Sequence, residues 1–208
     1  MKKNVIALLA LFTSAFALAQ EVETKNDSKW GIKMDGKIGF GTLVSSNAVN
    51  LHGNVNAGDI MFYYEFPDGG SLSAGVGTLQ FTANGTAAGE MYSLEQSYLK
   101  IPVYYNFSIS ILKEQLDDKF QAFGGLGVYA QTLLKEEVKT MTATATNKNQ
   151  GWNAGLGVQL GVKFDVTQSL DFGIGFETQY DLSEMEKDNV SRKMESATTI
   201  NFLIGFKF

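Results

Sequence analysis

Cysteine is missing from the 208 residues, histidine occurs once and proline twice. The first absence excludes a disulfide framework, thiolate metal sites and lipid attachment at an N-terminal cysteine. Basic residues are also in deficit, 17 Lys and Arg against 22 Asp and Glu. That balance argues against nucleic acid and against a basic membrane-docking surface. Helical periodicity is lacking throughout. What the chain has in quantity is glycine (22), phenylalanine (15) and tyrosine (8), with charged residues at 19%. Abundant aromatics and moderate charge exclude disorder, and the composition reads as all-β.

The first residues have the layout of a secretory signal. Lys2 and Lys3 precede an apolar stretch from Val5 to Ala19, and Ala17-Leu18-Ala19 is a small-x-small cleavage site before Gln20. The stretch falls short of the roughly 20 residues of a spanning helix. Removing residues 1–19 leaves 189 residues with 15 basic and 22 acidic side chains, a net charge of −7. Residues 20–29 form a polar lead-in, and 30–208 read as one domain with no linker or internal repeat.

From Trp30 onward the chain alternates. Ile32, Met34, Ile38 and Phe40 oppose Lys33, Asp35, Lys37, Gly39 and Gly41; Ile60, Phe62, Tyr64 and Phe66 oppose Asp59, Met61, Tyr63 and Glu65. Similar segments run from about Ser71 to Phe81, Tyr98 to Phe107, Phe120 to Tyr129, Trp152 to Asp165 and Leu170 to Tyr180. The last, Thr199 to Phe208, makes eight. Period-two patterns of this length are strands. Pro67–Gly70 and Thr167–Ser169 are tight turns, while Ser45–Asn54, Ala83–Ser93, Lys135–Gln150 and Asp181–Ala197 read as long polar loops. Ser108–Asp118 is long where a short connection is expected, leaving room for a short helix or an extended hairpin. Pro102, in mid-strand, suggests a bulge or a lumen-facing irregularity.

Alternation alone does not say which face points outward. Glycine loads the polar face (39, 41, 125, 127, 155, 157, 161, 173, 175 and 205). On a soluble barrel's surface those residues would weaken strands without return, but inside a narrow barrel they make room for neighbours. Aromatics cluster at segment ends: Trp30, Phe66, Phe107, Phe120, Phe164, Phe172 and Phe208 at one, Trp152 and Tyr180 at the other. Rings at both levels form the girdle of a bilayer-spanning barrel. Short turns on one side and long connections on the other fit the same architecture. Unpaired backbone in lipid costs several kcal/mol per group, so the last strand must close on the first, with Phe208 at the periplasmic rim. The expected fold is an eight-stranded antiparallel up-and-down transmembrane β-barrel of outer-membrane type.

Tyr98-Leu-Lys-Ile-Pro-Val-Tyr-Tyr105 resembles the Tyr-Leu-x-Ile-Pro strand of the PorT-like outer-membrane β-barrel family of Bacteroidetes, and Phe123-Gly-Gly-Leu-Gly-Val-Tyr129 resembles that family's next strand. The Phe-ended terminus fits as well, while Leu126 stands where relatives often carry proline. The resemblance spans essentially the whole mature chain. It implies an eight-strand outer-membrane barrel and no single activity, since the family includes secretion-system components among its members.

Candidate chemistry is sparse. His52 lies near Ser45, Ser46 and Asp59 in sequence, without a second constellation to make it a base. Asp117-Asp118 and Glu136-Glu137 would point to opposite faces of a strand. Glu184, Glu186 and Asp188 share a loop with Lys187, Arg192 and Lys193, which suits a solvated mixed-charge surface better than calcium. Gly155–Gly161 lacks the Lys-Ser/Thr of a phosphate loop. We therefore expect no catalytic, cofactor or metal residues.

Lys33, Asp35, Lys37, Asp59, Glu65, Lys100, Lys163, Asp165, Glu177 and Lys207 face the lumen. They read as a plug of paired charges, hydrogen-bonded to Gln121, Gln159, Gln179 and tyrosines, more readily than as an ion path. The expected role is a structural or interaction protein of the outer membrane. Its partners would be lipid or lipopolysaccharide, the barrel-insertion machinery through the C-terminal strand, and a protein at the outer loops or periplasmic rim. A narrow channel is the alternative, and a lipid-modifying or proteolytic enzyme using His52 is the third class.

Overall fold

The computed structural model describes residues 29–46, 49–67, 69–87, 90–111, 119–148, 151–187 and 190–208. The proposed signal, nearly all of the lead-in, the Asp117-Asp118 pair, Asp188 and most of the Ser108–Asp118 connection lie outside the described residues. Every element among the described residues is a strand: β1 (Trp30–Ser45), β2 (Leu51–Glu65), β3 (Gly70–Ala87), β4 (Glu90–Ser110), β5 (Phe120–Thr140), β6 (Thr144–Lys148), β7 (Trp152–Asp165), β8 (Leu170–Asp181), β9 (Met185–Lys187) and β10 (Val190–Lys207). No described helix is long and apolar enough to cross a membrane.

Eight of these close a ring in the order β1-β2-β3-β4-β5-β7-β8-β10, all antiparallel, and β10 pairs back onto β1. The seam runs from Gly31 opposite Lys207 to Ser45 opposite Arg192. The Phe208 amide donates to the Trp30 carbonyl at 3.2 Å, so the chain's last residue is tied to the first strand as expected. Stepping across the ladder from Trp30 leads through Tyr64, Leu72, Tyr105, Leu126, Val158, Thr178 and Thr198 back to β1 at Phe40, ten residues along. That stagger over eight strands corresponds to a strand tilt of about 40°.

The faces are inverted relative to a soluble barrel. Phe40, Phe62, Leu126, Leu160, Phe176 and Phe202 point outward and are 54–73% exposed, while Lys37, Asp59, Lys100, Gln159, Glu177 and Asn201 point inward and are at most 2% exposed. An oily outer belt around a polar centre is the arrangement of a barrel solvated by hydrocarbon. At the end carrying both termini, Trp30, Tyr64, Phe66 and Tyr105 form a continuous run of ring contacts, with centroids 4.9, 5.4 and 6.4 Å apart.

The structure corrects the loops. Half of Ser45–Asn54 and most of Ala83–Ser93, Lys135–Gln150 and Asp181–Ala197 is strand. Strands of 15 to 21 residues in β1 to β5 exceed the 9–11 that cross a bilayer, so the sheet continues beyond the oily belt at the distal end. β6 pairs with the extension of β5, and β9 with that of β10. Two bulges hide this continuity from a period-two reading: Glu195 is the extra residue opposite Thr42/Leu43, and Leu134 opposite Ser97/Tyr98. Past the second, Glu136 turns inward and is buried although Leu133 already faced the lumen. Neither bulge is at Pro102. That residue faces the lumen, and the β3 ladder beside it skips Gly75 and Val76.

Glycine on the inner wall has a specific use. Tyr104 of β4 is in register with Gly127 of β5 and Gly157 of β7, and its ring lies flat across both so that its hydroxyl reaches Glu177 on β8. Tyr129 crosses Gly155 to Asp181 in the same way, and Phe123 covers Gly161 and Gly175. A side chain at Gly157 would collide with the Tyr104 ring, whereas Gly36, on the outer face, has open space around it. Gly157→Leu is therefore expected to destabilise the barrel by about 1–3 kcal/mol or more through overpacking, with Gly36→Ala close to neutral. Urea unfolding of the two variants in detergent micelles measures the difference.

Candidate functional site

The lumen concentrates the chain's ionisable side chains, and pleat geometry puts them there. Asp35 and Lys37 sit two apart on β1, Asp59 faces Asp35 across the β1–β2 ladder, and Lys100 and Glu177 come from β4 and β8. Lys37 Nζ lies 2.5 Å from Asp59 Oδ2, 2.6 Å from Glu177 Oε2 and 3.5 Å from Asp35 Oδ2. Lys100 Nζ approaches the same Asp59 oxygen at 3.1 Å and stands 5.8 Å above the Tyr129 ring. Asp35 Oδ1 accepts the Asp59 amide at 3.0 Å. Glu177 accepts from Tyr104 Oη at 2.8 Å and Asn201 Nδ2 at 3.1 Å, and from Gln179 Nε2. Unpaired charge in such a place would cost several kcal/mol. Here two ammonium groups pair with three carboxylates across four strands, while Asp35 Oδ2, Asp59 Oδ1 and Lys100 Nζ make ion-pair or close contacts without a hydrogen bond among the described residues.

Above this network the lumen changes character. Leu43, Val55, Leu79, Phe81, Leu94, Tyr98, Leu133, Met185 and Met194 form an apolar layer inside the distal half. Two carboxylates are held beside it. Asp181 accepts from Tyr129 (2.8 Å), Gln131 (2.9 Å), Asn153 (2.7 Å) and the Met194 amide (2.6 Å). Glu136 accepts from Gln96 at 2.7 Å and Asn147 at 3.1 Å, and Arg192 of β10 reaches it from across the ring at 3.1 Å. At the terminal end Lys33, Tyr63, Glu65, Lys163 and Asp171 surround a vestibule of about 60 Å³. Lys207 bridges to Glu65 there at 2.9 Å, and Gln121 donates to Asp165 at 2.8 Å.

The ten inward charges thus separate into a buried central cluster and a group at the terminal mouth. Gln121 and Gln179 bond to carboxylates, but Gln159 pairs with Asn106 instead. The apolar layer escaped the sequence reading because its residues fall within or beside the stretches taken for loops. His52 is on the outer wall of β2, where Nδ1 lies 3.0 Å from Thr42 Oγ1, and Asp59 points to the opposite face. Glu136 and Glu137 do diverge, one buried and one outside.

No protein-family model matches the sequence, and no curated protein matches it. Among solved structures the chain is similar to Neisserial surface protein A, with a TM-score of 0.53 at 16% identity over 87% of this chain and 98% of the other. Ail, the attachment invasion locus protein of Yersinia pestis, gives 0.44 at 12% over 87% and 99%. The outer membrane protein OprG from Pseudomonas aeruginosa gives 0.44 at 14% over 87% and 96%. The first of these establishes a shared fold, that of an outer-membrane barrel.

Lys37 is the member of the central cluster that three carboxylates share. Lys37→Met should cost about 3–5 kcal/mol, because it strands buried carboxylates. Adding Glu177→Gln to it should cost less than the sum of the two single changes. Additive effects in a double-mutant cycle of urea midpoints would show that the two do not interact.

Proposed function

We propose that this protein is a non-conducting, non-enzymatic barrel of the bacterial outer membrane with a structural or interaction role. Cleavage before Gln20 would follow export, the end bearing Trp30 and Phe208 would face the periplasm, and the distal strand extensions would project from the cell. One observation carries the reading: the middle of the lumen is filled. Lys37, Asp59, Lys100, Tyr104 and Glu177 are at most 2% exposed, and Phe81 and Leu133 of the apolar layer at most 1%. A path for ions would have to cross both paired charge and packed hydrocarbon side chains.

With the centre closed, interaction falls to the rims. The arm built from β4, β5 and β6 presents Lys135, Glu137 and Lys139. Glu137 is clamped by both lysines, which hold its carboxyl down at about 2, so the arm keeps its mixed charge well into the acid range. Membership of the PorT-like family fits the inward face of Tyr98–Tyr105, where Lys100 and Tyr104 enter the central cluster. The apolar belt would contact outer-membrane lipid, and β10, the closing strand, would engage the insertion machinery. His52 pairs with Thr42 Oγ1 on the outer wall, and no carboxylate orients it among the described residues.

Planar bilayers containing the purified protein should stay at baseline conductance. Discrete openings that disappear in Gly175→Phe would overturn the closed lumen. Replacing residues 135–150 by a tight turn should leave the fast-migrating unboiled band on SDS gels, yet abolish capture of a crosslinked envelope partner. Undiminished capture would place the interaction elsewhere.

A further inference from the structure

The outer wall is dented where β10, β1, β2 and β3 leave the apolar belt. The concavity measures about 430 Å³, and Thr42, His52, Asn54, Thr82, Asn84 and Thr198 line it. Its cause lies in the wall itself. Ala197, Gly41, Gly53 and Ala83 stand side by side in register across the four strands. A methyl group on Gly41 would lie 3.0 Å from Met194 Sδ and Val55 Cγ2, and one on Gly53 2.8 Å from Phe81 Cζ. Small residues let the sheet settle inward onto the apolar layer, and the outside becomes concave.

Three features of the dent point to a ligand class. First, its lining carries hydroxyl, amide and imidazole groups and no charged side chain. The side chains of Asn54, Thr82 and Asn84 have no hydrogen-bond partner among the described residues, and His52 has only Thr42. Second, Phe40 forms the lower edge and is 73% exposed, offering a ring face beside the polar groups. Third, the belt continues directly from it toward the terminal end through Ile38, Ile60, Phe62 and Phe202, each 52–59% exposed. An occupant meeting all three has acyl chains against the belt and an uncharged, hydroxyl-rich head in the dent. A phosphate or carboxylate head would find no cation in the lining.

We propose that this dent is a binding site for the sugar headgroup of a glycolipid in the outer leaflet. The site rests on the membrane orientation argued above and gives the lipid-facing wall a selectivity of its own. Thr42 holds His52 Nδ1, leaving Nε2 to meet a hydroxyl. Asn54 and Thr82, directly paired across β2 and β3, would span adjacent sugar hydroxyls.

The test places the full mature protein in nanodiscs holding equal amounts of glucosyl diacylglycerol and phosphatidylethanolamine with identical chains. Native mass spectrometry of the released barrel then counts the retained lipid. At least a fivefold preference for the glucosyl lipid is expected, falling to none in Asn54→Ala/Thr82→Ala. Thr198→Val, a near-isosteric change, should reduce it partially and serves if the double variant loses its unboiled fast-migrating band. Equal retention by the wild type, or a preference unchanged in the variants, would overturn the site while leaving the barrel reading intact. Failure to enter nanodiscs at all would overturn both.

Discussion

Hydrocarbon offers no hydrogen bonds, so a chain that crosses it must pair every backbone N–H and C=O within itself. This protein meets that demand by closing β10 on β1, and most of its other features follow. Closure of eight strands with a ten-residue stagger leaves a bore that side chains fill rather than an aqueous channel. The polar face of each strand must then be packed as tightly as any core, although it consists largely of charged and amide groups. The glycines make this feasible. Tyr104, Tyr129 and Phe123 are large side chains that fit because the residues beside them on the next strands have none. Replacing hydrogen by methyl at such points would push rings into backbone.

The interior is layered, and the layers serve different ends. The central cluster sets two lysines against three carboxylates, and its Lys37–Asp59, Lys37–Glu177 and Lys100–Asp59 pairs join β1, β2, β4 and β8, so they also act as cross-links between distant parts of the ring. The apolar layer of Phe81, Leu133 and Met194 does for the distal half what a soluble protein's core does for a domain. It supports strands that have left the bilayer and no longer gain from lipid on their outer face. Asp181 and Glu136 brace this half from within, each accepting from several strands. The surfaces left open by this packing are the rims and the lipid-facing wall.

That wall is not uniform. Where the distal strands begin, outward residues change from Phe and Ile to Thr, Asn and Gln, and the boundary steps along the tilt of the ladder. A boundary of this kind lies at headgroup height, so the polar residues just beyond it meet a chemistry intermediate between oil and water.

The amino-acid sequence by itself determined the eight strands of the ring, the inverted faces, the charges in the lumen and the need for the last strand to pair. All of these are period-two properties, and Ile200–Phe208 or Trp152–Asp165 display them without interruption. It did not disclose the distal extensions. The bulges at Glu195 and Leu134 break the alternation there, and polar residues on the outer face imitate loops. Nor could it say which charges meet: that Lys37 lies between Asp59 and Glu177, 22 and 140 residues away, follows from register and stagger, which exist only once the ring is closed. The dent around His52 belongs to the same class, because four small residues on four strands become neighbours only through pairing. Local pattern decides which face a side chain takes; the closed ring decides what it meets.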